Sequence, residues 1–178
     1  TITCPATHTL ALGANCSAVL PDYTNLANAC DNCGVQSVTQ SPPAGTPVSN
    51  TGNMTVTLSV TDVNNNTAQC SFTVIKADNT LPAATCANAT LNFNGQQSFA
   101  LDANELVNAT DNCGVQSVAL SPNTIFATQV GQTVPVTATV TDVNSNVTTC
   151  TANITVSGLP AGWSQEPDGI GCTNCSSE

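Results

Sequence analysis

The residues of this chain most able to do chemistry are its ten cysteines, Cys4, Cys16, Cys30, Cys33, Cys70, Cys86, Cys113, Cys150, Cys172 and Cys175. Two pairs fall in Cys-x-x-Cys spacing, Cys30 with Cys33 and Cys172 with Cys175. Thiols so spaced can bond to each other, exchange disulfides or supply half of a zinc site. Redox catalysis is disfavoured, because an active Cys-x-x-Cys usually opens a helix whose N-terminus lowers the thiol pKa, and nothing helical follows Cys33. A zinc site from Cys30, Cys33, Cys172 and Cys175 has suitable ligands, but its halves lie about 140 residues apart. So many cysteines in 178 residues point instead to an oxidising, extracellular compartment in which disulfides persist.

Oxygen ligands come next. Asp62-x-Asn64-x-Asn66 and Asp142-x-Asn144-x-Asn146 place oxygen side chains at alternate positions, as the start of a calcium-binding EF-hand loop does. The Gly and Glu that complete such a loop are missing. The better reading is structural, since Asx side chains hydrogen-bond their own backbone and build tight strand connections. Calcium is the one candidate ion, with Asp62, Asn64, Asp78, Asp142 and Asn144 as its ligands and the linker around Asp78 as its place. No cofactor is required.

Catalytic groups are sparse. His8 is the only histidine, with no nearby acid and no serine in a nucleophile-elbow setting, so a Ser-His-Asp arrangement is not supported. Asp22, Asp102 and Glu105 are spread among turns and define no glycosidase pair. An isopeptide cross-link would need Lys76, which reads as a solvated gatekeeper at a strand end. The expectation is a protein that is not an enzyme.

Composition excludes further classes. One basic residue against eleven acidic ones leaves a formal charge of −10. Such a chain repels a phosphate backbone, which excludes nucleic acid, and it disfavours an anionic membrane surface. No apolar run approaches the ~20 residues that span a bilayer, so membrane insertion is not expected. With 40% apolar and 7% charged residues the chain is too apolar for ordinary disorder. It opens at Thr1 without a leader pattern and reads as a mature or excised segment.

The elements that must position these groups come in two copies. DNCGVQSV runs from Asp31 to Val38 and returns from Asp111 to Val118, an offset of 80 residues. TDVNNN at Thr61–Asn66 returns as TDVNSN at Thr141–Asn146, and Cys70 returns as Cys150, at that same offset. A repeat of this length suits tandem domains better than a continuous solenoid. In each copy the clearest strand alternates apolar residues with threonine: Met54, Val56, Leu58 and Val60, then Val134, Val136, Ala138 and Val140. Period two with a polar outer face predicts half-buried antiparallel strands. A second strand follows each Asn-rich turn, with Cys70, Phe72 and Val74 inward in one copy and Cys150, Ala152, Ile154 and Val156 in the other. Pro135 cannot donate to a ladder, which puts its end of the strand at an edge or bulge. Shorter strands are expected over 10–12, 17–20, 35–39, 89–93, 98–101 and 115–120, with one helical turn over 102–107. Short strands separated by turn signals predict an all-β fold of two tandem immunoglobulin-like β-sandwich domains with a short irregular C-terminal tail. The boundaries expected are 1–77, a linker 78–82, a second repeat 83–157, and a tail or start of a further domain 158–178, which holds the only tryptophan, Trp163.

ITCP near the start, ANCSAVLPDYTNLA, DNCG, TDVNNNTAQCSFTV and the closing ADNTLP together resemble a hyalin-repeat (HYR) module, an immunoglobulin-like domain abundant in secreted proteins of Bacteroidetes. The second copy, with LDANELVNATDNCGVQSVALSPN and VTDVNSNVTTCTANITV, is similar to the repeats found beside such modules. The resemblance covers residues 1 to about 157. It implies adhesive surfaces, stalks or spacers, and fold analogy alone does not choose among these.

The resemblance also implies the disulfides Cys4–Cys70 and Cys86–Cys150. Cys16 and Cys30 both lack counterparts in the second copy, and that co-occurrence suggests Cys16–Cys30. The HYR pattern would instead pair Cys16 with Cys33, and either choice leaves one cysteine of the CDNC loop over. Cys113 is stranded too, because the related repeats place its partner where this chain has Phe126 and Ala127. One cysteine of the CDNC loop, Cys113, Cys172 and Cys175 then remain, to close within the tail, to join tail to Cys113, or to bond between chains. Eight Asn-x-Ser/Thr triplets, at Asn15, Asn53, Asn65, Asn88, Asn108, Asn146, Asn153 and Asn174, would accept glycans in a eukaryotic secretory pathway. The reading is an extracellular structural or adhesive repeat of a bacterial cell surface, self-associating or binding other surface proteins, with a fibre subunit as one form. The alternative is a non-catalytic stalk of a larger secreted enzyme.

Overall fold

Alternating threonine and aliphatic side chains build the strands that dominate each half of the molecule. The computed structural model describes residues 1–159. The expectations for the tail, including Trp163, Cys172 and Cys175, lie outside the described residues. The chain divides into two compact units, the first Thr1–Thr80 and the second beginning at Leu81.

The first unit contains β1 (Ile2–Thr3), β2 (His8–Ala11), β3 (Ser17–Val19), β4 (Asn28–Ala29), β5 (Val35–Ser41), β6 (Pro47–Ser49), β7 (Gly52–Asp62) and β8 (Thr67–Ala77). One sheet has the order β2-β8-β7-β5, while β1 pairs with β4 and β3 pairs with β6. The core lies on the inner face of β7 and β8, where Val56, Leu58 and Val74 are fully buried, with Phe72, Leu20 and Tyr23 against them. Each such aliphatic side chain contributes about 1.5–3 kcal/mol by leaving water. His8 belongs to this packing, its ring 5.5 Å from that of Tyr23 and 6.0 Å from that of Phe72.

The second unit repeats the plan with β9 (Ala83–Cys86), β10 (Ala89–Asn94), β11 (Ser98–Ala100), β12 (Val107–Thr110), β13 (Val115–Ser121), β14 (Thr124–Phe126), β15 (Thr133–Asp142) and β16 (Val147–Leu159). Its main sheet has the order β10-β16-β15-β13, with β11 paired to β14 and β12 to β9. The expected helical turn is α1 (Ala103–Leu106), capped by Asp102, whose side chain accepts from the Asn104 N–H. In both units the last strand runs parallel to an early one, β8 with β2 and β16 with β10, and antiparallel to its hairpin partner. The architecture is all-β, with two tandem sandwiches of immunoglobulin type.

Two local expectations resolve against this topology. Pro135 faces Asn153 on β16, and the pairing of β15 with β13 starts only at Thr137 opposite Ser121. The proline thus sits where β15 has no neighbour on that side, so no ladder donor is lost. Lys76 does not guard an edge. It lies on β8, between Leu10 of β2 and Gly52 of β7, and its Nζ donates to the Ser49 carbonyl at 2.7 Å.

Candidate functional site: the DNCG loop and the Asx turn

The two repeated phrases form one structure in each module. The turn from β7 to β8 is built on Asp62: its Oδ1 accepts from the N–H groups of Asn64 and Asn66, both at 2.8 Å, and its Oδ2 from Asn66 Nδ2 at 2.8 Å. Asn65 takes the left-handed conformation, φ 64°, which asparagine tolerates better than most residues. The Val63 N–H then donates to the Gly34 carbonyl at 3.2 Å, tying the turn to the DNCG loop. Gly34 has φ 117°, which only glycine adopts without strain. Asp31 completes the loop by accepting the Cys33 N–H at 2.9 Å.

The second module reproduces each of these contacts. Asp142 accepts from Asn144 and Asn146 N–H, both at 2.8 Å, and from Asn146 Nδ2 at 2.7 Å. Val143 N–H donates to the Gly114 carbonyl at 3.1 Å, and Asp111 Oδ1 accepts from Cys113 and Gly114 N–H at 2.8 and 3.0 Å. The left-handed position is now Ser145, φ 72°. Hydrogen bonding therefore explains why the two phrases share one offset: each is the other's anchor.

These carboxylates hold their charge. The Asp62 carboxyl lies below its ordinary value, first because of the Asn66 side-chain amide and then the Asn66 N–H. Burial is the largest influence on Asp142 and pushes it up, but the Asn146 amide and the N–H groups of Asn146, Asn144 and Ser145 together outweigh it, and the net shift is down. Asp22 is lowered likewise by the Thr24 hydroxyl and N–H.

The five residues singled out as calcium ligands divide by place. Asp62 and Asn64 lie in the first module's turn, where both oxygens of Asp62 already accept N–H groups and Asn64 is exposed. Asp142 and Asn144 lie in the second module's turn, with Asp142 fully buried. Asp78 is buried in the first module, its Oδ1 accepting from Thr80 N–H at 3.0 Å. A residue the alternating pattern does not include is Asp111, which brings a carboxylate oxygen within 4.8 Å of one from Asp142. The identical offset of the two phrases was the signal that could have joined Asp111 to Asp142.

The cysteines follow a separate logic. Cys4 bonds to Cys70 with Cα atoms 5.6 Å apart, and Cys86 bonds to Cys150 with Cα atoms 5.7 Å apart. Each bridge joins the start of its module to its last strand. Cys16 and Cys113 are half-cystines as well. Cys30 and Cys33 are exposed thiols. Neither Cys16–Cys30 nor Cys16–Cys33 forms, and Cys113 is not stranded. Co-occurrence of Cys16 and Cys30 in one module carries no distance, which is why it misled.

Two depressions on the described residues gather polar side chains. One in the first module is lined by Cys30, Asp31, Asp62, Asn66 and Thr67, and one in the second by Cys86, Asn104, Glu105 and Asn108. Among the described residues no helix is long and apolar enough to cross a membrane.

No protein-family profile and no curated protein matches the chain. Among solved structures, the fibronectin(III)-like modules of CbhA from Clostridium thermocellum are 11% identical, with 89% of this chain and 95% of that chain covered and a TM-score of 0.34. The protocadherin GammaB4 extracellular domain is 13% identical, with 88% of this chain and 32% of that chain covered at a TM-score of 0.36. An I-band fragment from titin is 9% identical, with 89% and 65% covered at a TM-score of 0.39. At such scores these likenesses carry no argument about function.

Proposed function

We propose that this chain is a non-catalytic structural segment of an extracellular protein, acting as a covalently clasped spacer or adhesive repeat. The observation that carries the reading is the position of the clasps. Cys4–Cys70 short-circuits 66 residues of the first module and Cys86–Cys150 short-circuits 64 of the second. Tension along the chain passes through the sulfur bridges, and the core strands between them bear little of it. Small modules gain most from such closure, about 4 kcal/mol for loops of this length in the chain-entropy account. Lone His8 packs between aromatic rings, and the Asp62 and Asp142 carboxylates accept backbone N–H groups, which supports a role other than catalysis.

The finer reading is a bacterial surface protein that self-associates into a fibre, and it rests on the HYR resemblance. The stalk of a larger secreted enzyme is its rival. Electron microscopy of native material separates them, with repeating filaments expected for the first and isolated particles for the second. The location itself is tested by non-reducing peptide mapping of native material. Cross-linked peptides containing Cys4–Cys70 and Cys86–Cys150 are expected, and free thiols at these four positions would overturn the extracellular assignment.

A further inference from the structure

The first module carries a sulfur that its own fold leaves unused. All other described cysteines are disulfide-bonded, while Cys30 and Cys33 are thiols and both are exposed. The second module supplies an internal control, because its DNCGVQSV sequence is identical and its loop is built on the same Asp and Gly contacts. There the loop cysteine, Cys113, is a half-cystine. The same loop thus presents its sulfur for bonding in one module and to solvent in the other.

We propose that Cys33 forms a disulfide with Cys33 of a second copy of this chain. Cys33 is chosen over Cys30 on two grounds. It is the position whose counterpart is bonded, whereas Cys30 corresponds to Thr110. Cys30 is also engaged locally, its Sγ 3.1 Å from Thr1 Oγ1 and its N–H donating to the Thr1 carbonyl at 3.0 Å. A second copy is the fitting partner because an uncharged outer strand lies beside the thiol, with the exposed Asp31 on the other side setting the charge that must be screened. β5 begins two residues after Cys33, is the outermost strand of its sheet, carries no charged side chain, and exposes Val35, Gln36 and Ser37. A two-fold contact of this kind needs only one reactive sulfur per chain.

The chemistry balances with a small-molecule disulfide of the glutathione class as oxidant. One Cys33 thiolate attacks that disulfide, releasing one small thiol and forming a mixed disulfide. The second copy's Cys33 thiolate displaces the other small thiol, so two protein thiols are oxidised and one small disulfide is reduced to two thiols. Both chains carry a formal charge of −10, so encounter is opposed at low ionic strength and linkage is faster as salt screens the charge.

The proposal rests on the extracellular reading, since a reducing compartment would keep Cys33 as a thiol. The test uses the full chain incubated with oxidised and reduced glutathione, followed by non-reducing electrophoresis and peptide mass mapping. Wild type, Cys30→Ser and the double variant Cys172→Ser/Cys175→Ser are expected to give a species of twice the chain mass containing a Cys33–Cys33 peptide. Cys33→Ser is expected to lose it at least tenfold while retaining Cys4–Cys70, which shows that it has folded. A wild-type chain that stays monomeric, a Cys33 found bonded to Cys30, Cys172 or Cys175, or undiminished dimer in Cys33→Ser each overturns the proposal. Failure of the extracellular reading looks different, because Cys4–Cys70 would then be reduced in native material.

Discussion

The two modules keep one scaffold and fill it differently. In the first, large side chains stand on the central hairpin and the loop before β4: Leu58, Phe72 and Tyr23. Eighty residues on, these positions are Ala138, Ala152 and Ala103, and the first two are as thoroughly buried. The second module restores the volume at other positions, with Phe93 on β10 of the same sheet and Ile125 on β14 of the β11–β14 pair, both fully buried, where the strand registers of the first place the smaller Leu12 and Val48. Cores tolerate such redistribution when total volume and patterning are kept. What does not move is the Asp-built turn, its bond to the DNCG loop, and the bridge between the ends. The comparison teaches that the conserved geometry of the pair is polar and covalent, while the apolar filling is exchangeable.

The largest effect should come from the clasps. Cys70→Ser or Cys150→Ser is expected to cost its module about 4 kcal/mol, nearly equal in the two because the closed loops are of 66 and 64 residues. Urea unfolding followed by hydrogen exchange, module by module, checks this. A clear inequality would break the symmetry of the comparison.

Core substitutions should sharpen it next. Leu58→Ala leaves a cavity in the first module and is expected to cost about 3 kcal/mol. Ala138→Leu makes the reciprocal change at a position already fully buried, and should cost about 2 kcal/mol by overpacking. Both are read as falls in the calorimetric transition. If Ala138→Leu stabilised the second module, the redistribution account would be wrong.

Acid should act on both turns alike. The folded carboxyls of Asp62 and Asp142 are lowered, so their contribution is present above the unfolded carboxylate pKa of about 4 and is lost as pH falls through the lower folded value. Thermal midpoints measured across pH 2–6 should fall towards the acid end, and Asp62→Asn should flatten that fall in the first module. The smallest effect lies at the left-handed residue. Replacing Ser145 by the asparagine that its counterpart already has should stabilise the second module by about 0.5 kcal/mol, since asparagine tolerates that conformation. Differential calorimetry of Ser145→Asn against wild type checks it.

The long strands were readable in the sequence because Thr-aliphatic alternation in β7 and β15 has only one buried face, and a two-residue period leaves no other register. Short strands such as β3 and β11 were placed to within a residue or two from turn residues at their ends. The redistribution of core volume was not readable. Leu91 and Phe93 announce a strand, but nothing in their spacing shows that Phe93, with Ile125, makes up the volume lost at Ala138 and Ala152. At the loop site, asparagine and glycine gave away the turns, whereas the meeting of Asp111 with Asp142 depends on tertiary contact across 31 residues. Thiol state lies furthest from sequence, since Cys33 and Cys113 sit in identical octapeptides and differ only in what surrounds them.

The measurement that addresses the clasped-module account most directly is single-molecule stretching of the chain in oxidising and then reducing buffer. With the bridges closed, unfolding of either module should release almost no chain. After reduction, two further steps should appear, each of roughly 230–240 Å, as expected for loops of 66 and 64 residues at ~3.6 Å per residue. Steps of that size already present in oxidising buffer would contradict the account.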